Sequence, residues 1–310
     1  MTAVARVLVV GSSGFIGTAV CSSLEARGHE AIRLETPRVN AATLRPKSEL
    51  SMAILRDHLD HCSALVNAAG VPDATGTNKA EMLAANGILP GLLAAECSQR
   101  GVRFVHVSSA AVQGRRHTLD STPEMAPFSP YSESKARGES ESLQYATTVV
   151  YRPPGVHGVD RGATRAIARL ARSRFSSVAG SGSAASAQAL IGNVGDAIAF
   201  LAICEEGPPP IVAHPSEGVT TGGLLVDLGD RHPLKIPSVI ARSLVTVAFI
   251  LARVRPSVHG HARRLEMLWF GQRQNKSWLT DAGWVARSQR DAWRVLGRIL
   301  ADDIHRKDQQ

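Results

Sequence analysis

Apolar residues run in short blocks that alternate with longer, periodic stretches over the first 150 residues. Val7–Val10 is a continuous apolar run after Arg6, and the segment from Thr18 to about Arg27 has helical spacing. The same reading gives strands at Glu30–Glu35, Ser63–Asn67, Gly101–Ser109 and Thr147–Arg152. Helices are predicted at Met52–Leu59, Lys79–Arg100 and from Ser129 to about Tyr145. Such strand–helix alternation predicts an α/β fold, a Rossmann-type doubly wound parallel sheet.

Beyond residue 160 the pattern loosens. Helical candidates are Ala163–Arg174, Asn193–Cys204, Thr220–Leu228, Pro237–Arg253, Gly260–Gly271, Lys276–Ala282 and Ser288–Ala301. Ile211–Ala213 reads as a short strand after three prolines, and Val178–Gln188 as a Gly/Ser/Ala-rich loop. The expected organisation is a dinucleotide-binding domain over 1–160 and a small, mostly helical substrate cap over 161–310. Segments such as 193–213 return to the sheet domain, and Asp302–Gln310 is expected to fray.

The junction after the first strand is the richest in information. Gly11, Gly14 and Gly17 stand three apart between strand and helix. The first permits a sharp turn, the second lets a pyrophosphate approach the backbone, and the third allows close helix–strand packing. The helix N-terminus then offers N–H groups and a positive dipole end to phosphate. Packing alone also explains glycines at such a turn. Glu35, at the end of the second strand, suits an adenosine ribose and hence NAD, whereas Arg33 and Arg38 suit a 2′-phosphate and hence NADP. The polar, proline-containing segment Thr36–Ser51 reads as an uninformative loop. Asn86, within a helix, is not explained by periodicity.

A second group of residues carries chemistry. Ser109 ends a strand, and Tyr131 and Lys135 stand four apart on the following helix, hence on one face. A phenol with an ordinary pKa near 10 is a poor base at neutral pH. A nearby ammonium, with the charge of an oxidised nicotinamide, stabilises the phenolate. Tyrosine then takes a proton from an alcohol, or returns one to a ketone, while serine orients the oxygen.

These residues, in this order, resemble the extended short-chain dehydrogenase/reductases, in particular the NAD-dependent epimerase/dehydratase branch that acts on nucleotide sugars. Gly11-Ser-Ser-Gly14-Phe-Ile-Gly17 resembles the family's glycine turn, and Asn67-Ala-Ala-Gly70 its fourth-strand motif. Ser108-Ser109-Ala-Ala-Val-Gln-Gly114, Tyr131-Ser-Glu-Ser-Lys135, Arg152-Pro-Pro-Gly-Val-His-Gly158 and Asn193-Val-Gly-Asp196 resemble further family segments. Asn86-Gly-Ile-Leu-Pro90 is similar to its N-V-x-G-T helix, which implies a structural or cofactor-side role for Asn86, and Gly283-Trp284 is similar to a late G-W pair.

The resemblance implies catalysis by Ser109, Tyr131 and Lys135. It implies cofactor contacts from Gly11, Ser13, Gly14, Phe15, Ile16, Gly17, Glu35, Arg38, Ala68, Ala69, Gly70, Asn86, Ser108, Tyr131, Lys135 and Pro154. It also implies a homodimer. Gln113, Gly155 and His157 depart from the family pattern, so the substrate site is not that of the hexose 4-epimerases. His157 is either a substrate contact or a solvated loop residue. Ala110 and Ala111 stand where dehydratases carry Asp-Glu, which argues against dehydration. Two enzymatic readings remain: a nucleotide-sugar epimerase that retains NAD, and a ketoreductase of a keto-sugar or related ketone that exchanges NAD(P)H. A non-catalytic dinucleotide-binding protein is the third.

Composition narrows the classes. The chain has 310 residues, 44% of them apolar and 20% charged, which fits a globular protein. Cys21, Cys62, Cys97 and Cys204 form no C-x-x-C pair and read as reduced cytosolic thiols, with neither disulfide scaffold nor metal site. The first strand begins near the N-terminus without a signal-peptide pattern, so a cytoplasmic location is expected. Net charge is +8 and spread along the chain; Arg161, Arg165, Arg169 and Arg172 share nearly one helix face. No motif points to nucleic acid. Ser243–Ala252 is apolar but about half the length of a membrane span. It reads as a buried helix, although Arg242 and Arg253 at its ends also suit peripheral membrane contact. Arg263 and Arg264 are candidates for a substrate diphosphate.

Overall fold

The computed structural model describes residues 4–72, 78–254 and 259–308. The chain forms two compact units. One comprises Met1–Pro154, Ile191–Pro215 and Lys276–Arg287; the other comprises Gly155–Leu190, Ser216–Asn275 and Ser288–Gln310. Lys276–Arg287, assigned to the cap from sequence, lies in the first unit.

Six parallel strands organise the first unit: β1 (Arg6–Val10), β2 (Glu30–Leu34), β3 (Ala64–Asn67), β4 (Arg103–Val107), β5 (Thr148–Arg152) and β6 (Ile211–Ala213). Their spatial order is β2-β1-β3-β4-β5-β6, all parallel. From β1 the chain goes to one side for β2 and returns to the other for β3. That reversal opens a crevice at the carboxyl ends of β1 and β3, where such sheets bind ligands.

The inner strands are buried on both faces, which is why their centres read as apolar. One face packs Leu8, Leu65 and Phe104 against Leu55, Leu89 and Leu93 from α2 (Glu49–Leu59) and α3 (Leu89–Gln99). The predicted helix Lys79–Arg100 is not uniform: a π-helical turn at Leu83–Ile88 interrupts it and contains Asn86. On α4 (Pro130–Ser142) a Cβ added at Gly138 would lie 2.1 Å from the Asn86 carbonyl oxygen, so glycine allows α4 to press against that turn. Ser129 caps α4, with Ser132 completing a reciprocal capping box.

Opposite, α1 (Phe15–Ala26) meets α5 (Ile191–Ile203) at Gly195, whose added Cβ would stand 2.7 Å from the Ala19 backbone. Fully buried Asp196 on α5 accepts two bonds from Arg27 (3.0 and 2.8 Å), one from Arg287 (2.6 Å) and one from Trp284 Nε1 (2.9 Å). Together with a 2.5 Å bond from Ser277 Oγ to the Ala213 carbonyl, these fix Lys276–Arg287 to this unit.

The second unit is built from helices Gly162–Arg172, Thr221–Gly229, Ser238–Val254, His259–Phe270 and Asp291–Asp308. Two short parallel strand pairs, Gly155–His157 with Gln188–Leu190 and Ser177–Ala179 with Leu234–Ile236, flank the segment expected to be loop, of which only Val178, Ala179 and Gln188 are in strand. Their three-residue length hides any alternation. The last helix runs to Asp308 rather than fraying at Asp302, and only 309–310 of that tail lie outside the described residues. Its earlier turns bury Trp293, Leu296 and Leu300 in a cluster with Leu224, Leu225 and Leu228.

Candidate functional site

Gly11 has φ +78°, a left-handed conformation, and a Cβ there would lie 2.5 Å from Ala69 N. Gly17 is as constrained, since its Cβ would be 2.1 Å from the Gly11 carbonyl oxygen. Gly14 is the N-cap of α1 and makes no side-chain cap; no acidic residue sits in the first helical turn. The turn therefore presents backbone and a positive helix end, not side chains.

A cleft of about 660 Å³ opens at this point. Of the residues implied as cofactor contacts, Gly11, Ser13, Gly14, Arg38, Ala68, Ala69 and Gly70 line it. Glu35, Phe15, Ile16, Gly17, Asn86, Ser108, Tyr131, Lys135 and Pro154 do not. The segment read as uninformative contributes Thr36, Pro37, Arg38, Val39, Ala41 and Lys47 to the wall. It folds back on itself: Val39 bridges Pro46, and Lys47 N–H donates to the Arg38 carbonyl (2.8 Å). Two cations, Arg38 and Lys47, thus stand in one wall. Their spacing on a non-periodic segment gave no signal beyond charge. Arg33, the other cation considered beside Glu35, points elsewhere and bonds to Glu25 at 2.8 Å.

Asn86 supports the opposite wall. Its side-chain oxygen accepts from Val71 N–H (2.8 Å), and its amide donates to the Val71 carbonyl (3.0 Å) and to Ser134 Oγ (3.1 Å). The π turn thereby ties the segment after β3 to α4, and Asn86 has a scaffold role.

Lys135 is buried beneath the cleft floor. Its Nζ donates to the Val107 carbonyl at 3.0 Å. A Cβ at Gly70 would lie 3.1 Å from that Nζ and 2.7 Å from Asn86 Oδ1, so the absent side chain brings the ammonium beside the cleft lining. Burial lowers the Lys135 pKa to about 8, with nearby Glu139 opposing the shift. Tyr131, half-buried, occupies the first turn of α4, one turn before Lys135. Ser109 caps a short 3-10 turn, Ala110–Gln113, and accepts from Ala111 N–H at 3.2 Å. Accepting one bond leaves its hydroxyl proton for donation.

Ser108 behaves differently from its neighbour. It is buried and donates to Glu139 Oε1 at 2.5 Å, which turns its hydroxyl into the interior. Glu139 and Arg152 form a fully buried bidentate pair, with contacts of 3.0 and 2.6 Å. Arg152 also donates to the carbonyls of Asp120 (3.3 Å) and Thr122 (2.7 Å). Gln113 bonds Asp120 and the Glu124 carbonyl. The 115–128 segment is therefore pinned to the strand end from two sides. This network escaped sequence reading, although Glu139 repeats the four-residue spacing of Tyr131 and Lys135.

In the second unit, His157 is buried rather than solvated. It is bonded to Gln188 (2.7 Å) and Thr164 (3.2 Å), and set against Trp293 with ring centres 5.3 Å apart. Burial pushes its pKa down to about 4. Gly155 is small because Gln188 Oε1 occupies the place of its Cβ. Arg263 pairs with Glu266 at 2.5 Å, and Arg264 is exposed. No group of His, Cys, Asp and Glu among the described residues could hold a metal ion.

The glycine turn, switch-point crevice and buried Tyr-x-x-x-Lys lysine meet in one fold, and residues 7–185 match the model of the NAD dependent epimerase/dehydratase family. The chain belongs to that family. Among curated proteins it is similar to 4-hydroxy-2-methyl-3-oxo-4-farnesyl-3,4-dihydroquinoline-1-oxide ketoreductase of Stigmatella aurantiaca. The two are 32% identical over 172 residues, or 50% of this chain and 51% of the relative. The chain spans about half the length of the curated relatives it matches. Among solved structures, dTDP-4-dehydrorhamnose reductase from Bacillus anthracis in complex with NADP superposes over 97% of this chain and 99% of its own. The TM-score is 0.65 and the identity 13%. Human epimerase family protein SDR39U1 with NADPH covers 94% of this chain and 99% of its own, with TM-score 0.63 and 22% identity. These structures share the fold.

Proposed function

We propose that this family member is an NADPH-linked reductase of a ketone, with Tyr131, Lys135 and Ser109 as its reacting-side groups. The observation that carries the reading is the cleft wall formed by Arg38 and Lys47, with Glu35 outside the lining. Two cations there fit a ribose 2′-phosphate, and charge-assisted bonds to phosphate discriminate strongly. The Gly11 and Gly17 close contacts fit a pyrophosphate against bare backbone. The ketoreductase and reductase names of the Stigmatella and Bacillus proteins support reduction.

When bound, the reduced nicotinamide supplies a hydride to the carbonyl carbon. The Tyr131 hydroxyl gives its proton to the carbonyl oxygen, and Ser109 donates a hydrogen bond to that same oxygen. Lys135, protonated below about pH 8, stabilises the phenolate left behind. Its link to the Val107 carbonyl keeps the ammonium fixed as that charge appears.

Titration with NADPH and NADH tests the cofactor, and NADPH oxidation against keto-sugars and lipophilic cyclic ketones tests the reaction. NADPH is expected to bind more tightly. Tyr131→Phe is expected to lower turnover about a thousandfold without changing dinucleotide affinity. Equal binding of both dinucleotides, or full activity in the variant, overturns the reading. Glu35, at the carboxyl end of β2, favours a second one: a nucleotide-sugar epimerase that keeps NAD. Stoichiometric NAD released on denaturation, identified by mass spectrometry, would establish it.

A further inference from the structure

The helix Ser238–Val254 has two apolar stripes where a surface helix ordinarily has one. Ala241, Val245 and Ala252 are buried, and the first two pack with Trp269. Roughly a quarter-turn round the helix, Ile240, Leu244, Val247 and Leu251 recur at spacings of four, three and four. All four are exposed, Leu251 by 58%, and Val239 (77%) and Ile250 (53%) widen the stripe. Exposed aliphatic residues in such a row mark an interaction surface.

Charge indicates what covers it. Arg253 is exposed beside the Val239 side of this widened stripe, Arg242 is exposed further round with its guanidinium 5.3 Å from the Phe270 ring centre, and Lys235 is exposed just before the helix. From Arg231 to Val258 the sequence contains five Lys and Arg and no Asp or Glu. A two-fold contact with a second copy would set these cations against themselves with no acid from this stretch between them. The exposed apolar side chains are Val, Ile and Leu only, without the Trp and Tyr that anchor protein partners. An aliphatic ridge edged by cations suits lipid acyl chains beneath an anionic headgroup layer. No helix among the described residues is long and apolar enough to cross a membrane, so the contact is along the surface.

We infer that the helix Ser238–Val254 docks on an anionic lipid surface, its Ile240–Leu244–Val247–Leu251 ridge entering the interface and Arg242 and Arg253 meeting phosphate headgroups. The inference does not depend on the proposed reaction.

Flotation of the full chain with vesicles tests it. The protein is expected to float with equal parts phosphatidylcholine and phosphatidylglycerol, not with phosphatidylcholine alone, and to be released as salt rises. The double variants Leu244→Gln/Leu251→Gln and Arg242→Gln/Arg253→Gln are each expected to lower partitioning about tenfold or more. These positions are exposed, and unchanged circular dichroism confirms that the variants fold. Failure of the wild-type protein to float, or flotation unaltered in both variants, overturns the inference. So does a wild-type dimer in sedimentation velocity that Leu244→Gln/Leu251→Gln converts to monomer, which assigns the ridge to a second copy.

Discussion

In the sheet unit, Lys135, Glu139, Arg152 and Asp196 are charged, buried and partnered; in the helical unit, six aliphatic side chains of one helix face water. The first arrangement carries a desolvation cost offset by fixed partners. The second leaves apolar area unburied, at about 25 cal/mol per Å² of forgone stabilisation. Both give up stability, and in each place the sacrifice coincides with a candidate function: chemistry beneath the cleft, and docking on the outer helix.

The contrast is broken most severely at Glu139. Glu139→Gln leaves Arg152 buried without its counter-charge and is expected to cost about 3 kcal/mol or more, read by denaturant unfolding. It also removes the carboxylate that holds the Lys135 pKa up, so the alkaline limit of reductive activity moves to lower pH.

Lys135→Met moves stability the opposite way. The native pKa of about 8 lies below the ordinary 10.5, so the native state binds this proton less tightly than the unfolded chain. The cost of burying the ammonium is complete below pH 8 and is relieved as pH rises toward 10.5. At pH 7 the variant is expected to be more stable by about 1–3 kcal/mol, a gain that vanishes above pH 10.5, while reductase activity collapses. Thermal unfolding at pH 7 and pH 10.5 gives both numbers.

A smaller effect separates the cleft wall from the strand end. Arg38→Ser with Lys47→Ser is expected to weaken NADPH about tenfold and to leave NADH unchanged, as measured by titration calorimetry. Smallest of all, Leu244→Gln on the exposed ridge is expected to change unfolding free energy by no more than about 0.5 kcal/mol. A larger loss would mean that the ridge is packed rather than free.

What the sequence determined by itself is local or periodic. The strands β1 and β3 to β5 are apolar at their centres, because a parallel sheet buried on both faces needs this. The glycines were legible because only glycine fits where the Gly11 backbone turns left-handed and meets Ala69. Tyr131 and Lys135 were legible because four residues make one helical turn. Tertiary structure decided the rest. Ser108 and Ser109 are adjacent and chemically identical, yet only contact with Glu139, 31 residues on from Ser108, turns the first inward. Lys47 reached the cleft because the chain between Arg38 and Lys47 doubles back through non-periodic sequence. His157 became a packing residue because Gln188, Thr164 and Trp293 surround it. Residues that meet across long sequence separations leave no mark in either chain segment alone, since helical and strand periods record only which face a side chain takes, not what waits on that face.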